Sequence, residues 1–126
     1  MAKQIINTAA APAPIGPYNQ AILVNDTLYI SGQVCLDAET GGLKNNSVQD
    51  ETRQVMHNLK MILEAAGLTF GNVVKTSIFL TDMNRFAEVN DVYGSFFETD
   101  FPARETVQVS ALPKFVNVEI SMIAVK

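Results

Sequence analysis

The sequence predicts a single α+β domain in which two amphipathic helices cover one face of a five- or six-stranded sheet. Three observations carry this reading. Two segments place apolar residues at helical spacing: Val55, Leu59, Ile62, Leu63 and Ala66, then Phe86, Val89, Tyr93, Phe96 and Phe97. Around them lie β-rich runs at 20–24, 27–34, 73–80, 104–112 and 117–125, with a short strand at 4–6. The chain has 126 residues, 48% hydrophobic and 17% charged, which suits one core and excludes a disordered protein.

Each element has a local signal. Pro12, Pro14 and Pro17 hold the stretch 9–17 out of the helical region, so it reads as an extended loop. Asn25-Asp26 separates two β-runs by two residues and predicts a hairpin. Thr40-Gly41-Gly42 marks a turn, and Ser47 to Asp50 resembles a helix start. The first helix then ends at Gly67, and the second begins near Arg85. The last two strands join near Pro113. The helix-free face of such a sheet carries Ser77 and Phe79, or Ser121, Ile123 and Val125, depending on register. A face that mixed is too apolar to leave in water, which predicts oligomerisation.

Composition narrows the function classes. Nine basic against thirteen acidic residues give a net charge of −4, the wrong sign for a general nucleic-acid binder. One cysteine, Cys35, forms no internal disulfide, and one histidine, His57, is too few for the usual zinc clusters. No continuous apolar run of about 20 residues is present. The first residues carry neither an apolar signal core nor an Arg-rich stretch, so the expectation is a soluble cytoplasmic protein with no membrane partner.

Few residues offer chemistry. His57 falls off the apolar stripe of its helix and reads as solvent-facing. Cys35 reads as a small buried residue, and Asp37 and Glu39 as loop charges. Arg104 opens a β-run and shares a face with Thr106, Gln108 and Ser110, while Val107, Val109 and Ala111 take the other. Glu119 lies between Val118 and Ile120, where a buried carboxylate needs a partner. On their own, Arg104 also fits a salt-bridged surface arginine, and Glu119 a polar residue on a wet sheet face.

An ordered set of motifs goes further. Gly16-Pro17-Tyr18, Ser31-Gly32-Gln33, Val89-Asn90, Phe101-Pro102-Ala103-Arg104, Leu112-Pro113 and Val118-Glu119-Ile120 resemble the Rid family of reactive intermediate deaminases, in its RidA branch. Glu64-Ala65-Ala66-Gly67 and Val74-Lys75-Thr76 support the match, which spans 11–125. The resemblance implies a chorismate-mutase-like fold with a mixed sheet, assembled as a homotrimer with ligand clefts between subunits. It implies hydrolysis of 2-imino acids and their enamines, such as 2-iminobutyrate and 2-iminopropionate released by dehydratases, to 2-keto acids and ammonia. No cofactor or metal is implied.

In this reading Arg104 grips the substrate carboxylate through two parallel hydrogen bonds, and Glu119 holds a water for attack on the C=N carbon. Tyr18, Ser31, Gly32, Asn90 and Thr106 match further substrate-binding positions. One departure stands out: Glu105 occupies a position where the family usually has a small residue, and Thr106 stands where many members have cysteine. Strand alternation sends Glu105 to the face of Val107, away from Arg104. A carboxylate turned back toward the guanidinium would cancel its pull on an anion. The alternative function is a non-catalytic regulatory protein that binds small carboxylates in the same cleft. An RNA-cleaving activity, also ascribed to members of the family, runs against the charge of −4.

Overall fold

A two-residue turn sets the frame of the sheet. Asn25 and Asp26 have φ of 51° and 59°, the left-handed pair that a type I′ hairpin requires. The computed structural model, which describes residues 2–126, builds from that hairpin a sheet of six strands. The elements in order are β1 (Gln4–Ile6), β2 (Ala21–Val24), β3 (Thr27–Gln33), α1 (Val48–Ala65), β4 (Val73–Leu80), α2 (Phe86–Gly94), β5 (Ala103–Gln108) and β6 (Val118–Val125). The strands lie in the order β1-β2-β3-β6-β4-β5. All neighbours are antiparallel except β4 and β5, which α2 connects as a parallel crossover. This is the mixed α+β sheet with two helices that the sequence predicts.

Helix α1 starts where Ser47 Oγ accepts the Asp50 N–H at 3.0 Å, and it ends before Gly67, whose φ is 76°. Its stripe buries Val55, Met56, Leu59, Ile62 and Leu63 completely, against Leu28 of β3 and Ile120 of β6 among others. Each such side chain contributes about 1.5–3 kcal/mol of burial free energy. Buried Asn58 on the same helix donates to the carbonyls of Val34 (3.1 Å) and Leu36 (2.9 Å), fastening the chain that leaves β3.

Two predicted boundaries shift by more than two residues. Helix α2 stops at Gly94, so Phe96 and Phe97 lie beyond it and pack edge-on to Phe70, with centroids 5.7 and 5.4 Å away. Gly94 is a poor helix former, and Ser95 Oγ donates to the Val92 carbonyl at the helix end. Strand β5 ends at Gln108 rather than 112, because its partner β4 ends at Leu80, the residue that pairs with Gln108. Phe86, expected on the buried stripe, is 37% exposed.

Register also resolves the helix-free face. Ser77 pairs with both Glu105 and Ser121, and Phe79 with both Val107 and Glu119. The two alternative residue sets therefore share one face, together with Tyr29, which pairs with Ile123. No helix of the described residues is long and apolar enough to cross a membrane.

Candidate functional site

The predicted site residues fall into two groups. The first gathers at Glu119. Ile30 pairs with Met122 and Gln33 with Ile120, so Ser31 and Gly32 together stand opposite Ser121, which makes a bulge in β3. The bulge brings the Gly32 backbone against the Glu119 side chain. A Cβ on Gly32 would stand 2.8 Å from Glu119 Oε2 and 2.9 Å from its Cδ, so only glycine leaves the carboxylate undisturbed. Glu119 is half-buried and pairs with no cation among the described residues. Burial raises its carboxyl pKa above the ordinary value.

Two hydroxyls frame this group. Ser31 Oγ donates to the Asn19 carbonyl at 2.6 Å, and the Tyr18 hydroxyl accepts the Ile15 N–H at 3.2 Å. Tyr18 thus ties down the proline-rich loop, yet its side chain stays 44% exposed. Tyr18 and Gly32 line one small concavity of about 30 Å³ with Pro12, Ile15 and Gln20.

The second group gathers at Arg104. Its guanidinium carbon lies 5.2 Å from the centroid of the Tyr93 ring and 5.5 Å from that of Phe86. No carboxylate pairs with it among the described residues. Two residues along the same face, Thr106 Oγ1 is the one buried side-chain oxygen or nitrogen without a hydrogen-bond partner among the described residues. Asn90 is half-buried on α2, one turn after Phe86 and three residues before Tyr93, hence on the helix face that these rings occupy.

The two groups do not meet within one chain. Arg104 pairs across the sheet with Thr76, and Glu119 with Phe79. Thr76 and Phe79 are three apart on β4, so their side chains point to opposite faces. Arg104 and Thr106 sit on the helix side, and Glu119 sits on the helix-free side. Neither group is enclosed. The larger hollows lie elsewhere, such as a groove of about 440 Å³ lined by Asn46, Ser47, Glu51, Asp82, Arg85 and Asn117.

Glu105 points away from Arg104, as alternation predicts. Its carboxylate pairs with Lys75 Nζ at 2.8 Å and accepts the Ser77 hydroxyl on the helix-free face. These contacts, Lys75 first, lower its pKa. The other candidates are remote: His57 is exposed on α1, and Cys35 is fully buried with its thiol pushed up to about 11, chiefly by burial. Among the described residues, no three His, Cys, Asp or Glu side chains gather as metal donors.

Sequence reasoning missed the two rings that flank Arg104. Their helical spacing places both on the core stripe of α2, and Tyr93 does lie there. The available signal was the seven-residue spacing of Phe86 and Tyr93, two helical turns that can run alongside one strand.

Comparison with known proteins identifies the family of the fold that carries these residues. The family model described as Endoribonuclease L-PSP matches residues 8–126. The 2-iminobutanoate/2-iminopropanoate deaminase of Bos taurus is 51% identical over 126 residues, which is all of this chain and 92% of the bovine one. RidA from the Antarctic bacterium Psychrobacter sp. PAMC 21119 superposes with a TM-score of 0.94 at 44% identity, covering 98% of this chain and 99% of that one. E. coli TdcF, solved with bound serine, superposes with a TM-score of 0.94 at 42% identity, covering 98% of each chain. With a family match across nearly the whole length and relatives this similar, the chain belongs to the Endoribonuclease L-PSP family, also called the YjgF/Rid family.

Proposed function

We propose that this protein hydrolyses 2-iminobutanoate and 2-iminopropanoate to 2-keto acids and ammonia. The full-length similarity to a deaminase of that name supports the reaction. The observation that carries the residue roles is the unpaired Arg104: a guanidinium flanked by two rings and free of carboxylates keeps its hydrogen-bonding fork for an incoming anion. A relative with bound serine, which also bears a carboxylate, fits the same recognition.

The site is completed by a second copy. Arg104, Thr106 and Asn90 of one protomer face Glu119, Gly32, Ser31 and Tyr18 of the next across a cleft, in a homotrimer of chorismate-mutase-like protomers. The opposite-face placement of Arg104 and Glu119 supports this, as does the mixed, uncovered sheet face.

The reaction needs little more than positioning. Arg104 holds the substrate carboxylate, which fixes the adjacent iminium carbon. Glu119, as a carboxylate, takes a proton from a water as its oxygen bonds to that carbon. The resulting carbinolamine receives that proton on nitrogen; as its C–N bond breaks, Glu119 takes the hydroxyl proton, the C=O of the keto acid forms, and ammonia leaves and carries the proton away as ammonium. The half-buried setting of Glu119, which raises its proton affinity, suits this exchange.

A trapping competition tests the reading. A threonine dehydratase generates 2-iminobutanoate in the presence of semicarbazide, and the protein is added in increasing amount. Faster keto-acid release with less imine-derived semicarbazone, abolished in Arg104→Ala, is the expected result. Keto-acid binding without any effect on trapping would instead favour a carboxylate-binding regulatory protein.

A further inference from the structure

We propose that Tyr93 is a positioning residue that presents the Arg104 guanidinium to the substrate carboxylate. This rests on Arg104 being the carboxylate grip. An acidic partner on Arg104 would compete with an anionic substrate. Here no carboxylate pairs with Arg104 among the described residues. Aromatic rings take that place. The Tyr93 ring lies 5.2 Å from the guanidinium carbon, within cation–π range, and it consumes none of the N–H donors.

The ring is itself fixed. Tyr93 is 4% exposed, and its hydroxyl donates to Thr76 Oγ1 at 3.0 Å. Thr76 is fully buried and is the residue that pairs directly with Arg104 across β4 and β5. One hydrogen bond therefore ties the ring beneath the guanidinium to the strand position beside it. Phe86, the second ring, is 37% exposed and has no such anchor, so the burden of orientation falls on Tyr93.

Three variants test this. Tyr93→Leu removes the ring, Tyr93→Phe keeps the ring and removes the Thr76 bond, and Arg104→Ala removes the grip. Each is checked for Tm and assembly, then assayed for kcat, KM and calorimetric binding of 2-oxobutyrate. The expected result for Tyr93→Leu is KM and the 2-oxobutyrate Kd raised about 3- to 30-fold, with kcat changed far less. Tyr93→Phe, which preserves packing, shows a smaller rise of the same kind. In ¹⁵N NMR the Arg104 Nε–H proton, identified by its loss in Arg104→Ala, loses its ring-current shift in Tyr93→Leu and keeps it in Tyr93→Phe. Wild-type KM and Kd in a folded Tyr93→Leu overturn the positioning role alone. Undiminished 2-oxobutyrate binding in Arg104→Ala overturns the grip, and the positioning role with it.

Discussion

Gly32→Ala is the most economical perturbation of the site, because it adds one methyl and alters no charge. The new Cβ would lie 2.8 Å from Glu119 Oε2 and 3.1 Å from its Cγ. Ordinary contact begins near 3.4 Å, so the carboxylate must move by about 0.6 Å or more. The side chain yields at its far end, and Gly32 does not occupy the left-handed region, so folding loses little, about 1 kcal/mol or less. Catalysis is more sensitive: a displacement approaching 1 Å costs on the order of 100-fold in rate. Arg104 is untouched, so 2-oxobutyrate binding falls far less than turnover. Thermal melts, the semicarbazide competition and calorimetry measure the three quantities. A folded Gly32→Ala variant with wild-type turnover would refute the claim that Glu119 acts from the position seen here.

Other predictions follow from named contacts. Glu51 is fully buried and accepts the Asn117 N–H at 2.9 Å and the Asn117 side-chain amide at 2.6 Å. Glu51→Ala removes both bonds and the Cys35 Sγ contact to the same carboxylate at 3.7 Å, and lowers stability by about 1–3 kcal/mol in urea titration. The Cys35 thiol, fully buried and pushed up to about 11, stays unmodified by iodoacetamide in the native protein at pH 7.5 and alkylates readily in urea. Glu119 works as a carboxylate whose pKa is raised by burial. The rate therefore falls with acid on a limb above the ordinary glutamate value of 4.5, which a pH–rate profile of the wild-type protein shows. The linkage has the same sign. The folded state holds this proton more tightly, so stability is lost as pH rises from 4.5 through the folded pKa. Glu119→Gln accordingly raises Tm at pH 7, and its advantage disappears at pH 4.

Much of the fold was legible because its punctuation is local. Asn25-Asp26, Ser47 and Gly67 each act through their own backbone or cap, so the hairpin and α1 follow from short windows. The end of β5 was not legible, since it depends on where β4 stops, a partner far away in sequence. The tail of α2 misled for a related reason: Phe96 and Phe97 continue the helical spacing but are held by Phe70, which no local window contains. At the site, alternation correctly sent Glu105 away from Arg104. What alternation within single strands left undetermined was the relation between strands. Only the register shared through β4 separates Arg104 and Glu119 onto opposite faces. The close approach of Gly32 to Glu119 depends on a bulge, which carries no sequence signal beyond the glycine itself.

The central claim is that one cleft takes Arg104 from one copy and Glu119 from another. Subunit complementation tests it most directly. Arg104→Ala and Glu119→Gln are each prepared, shown to be folded and inactive, then unfolded and refolded together in equal amounts. Random mixing gives about a quarter of the clefts an intact Arg104 half and an intact Glu119 half. Recovery of about a quarter of wild-type imine hydrolysis, from two inactive proteins, is the predicted result. A mixed assembly that remains inactive would contradict the shared site and require both residues to serve one substrate from the same chain.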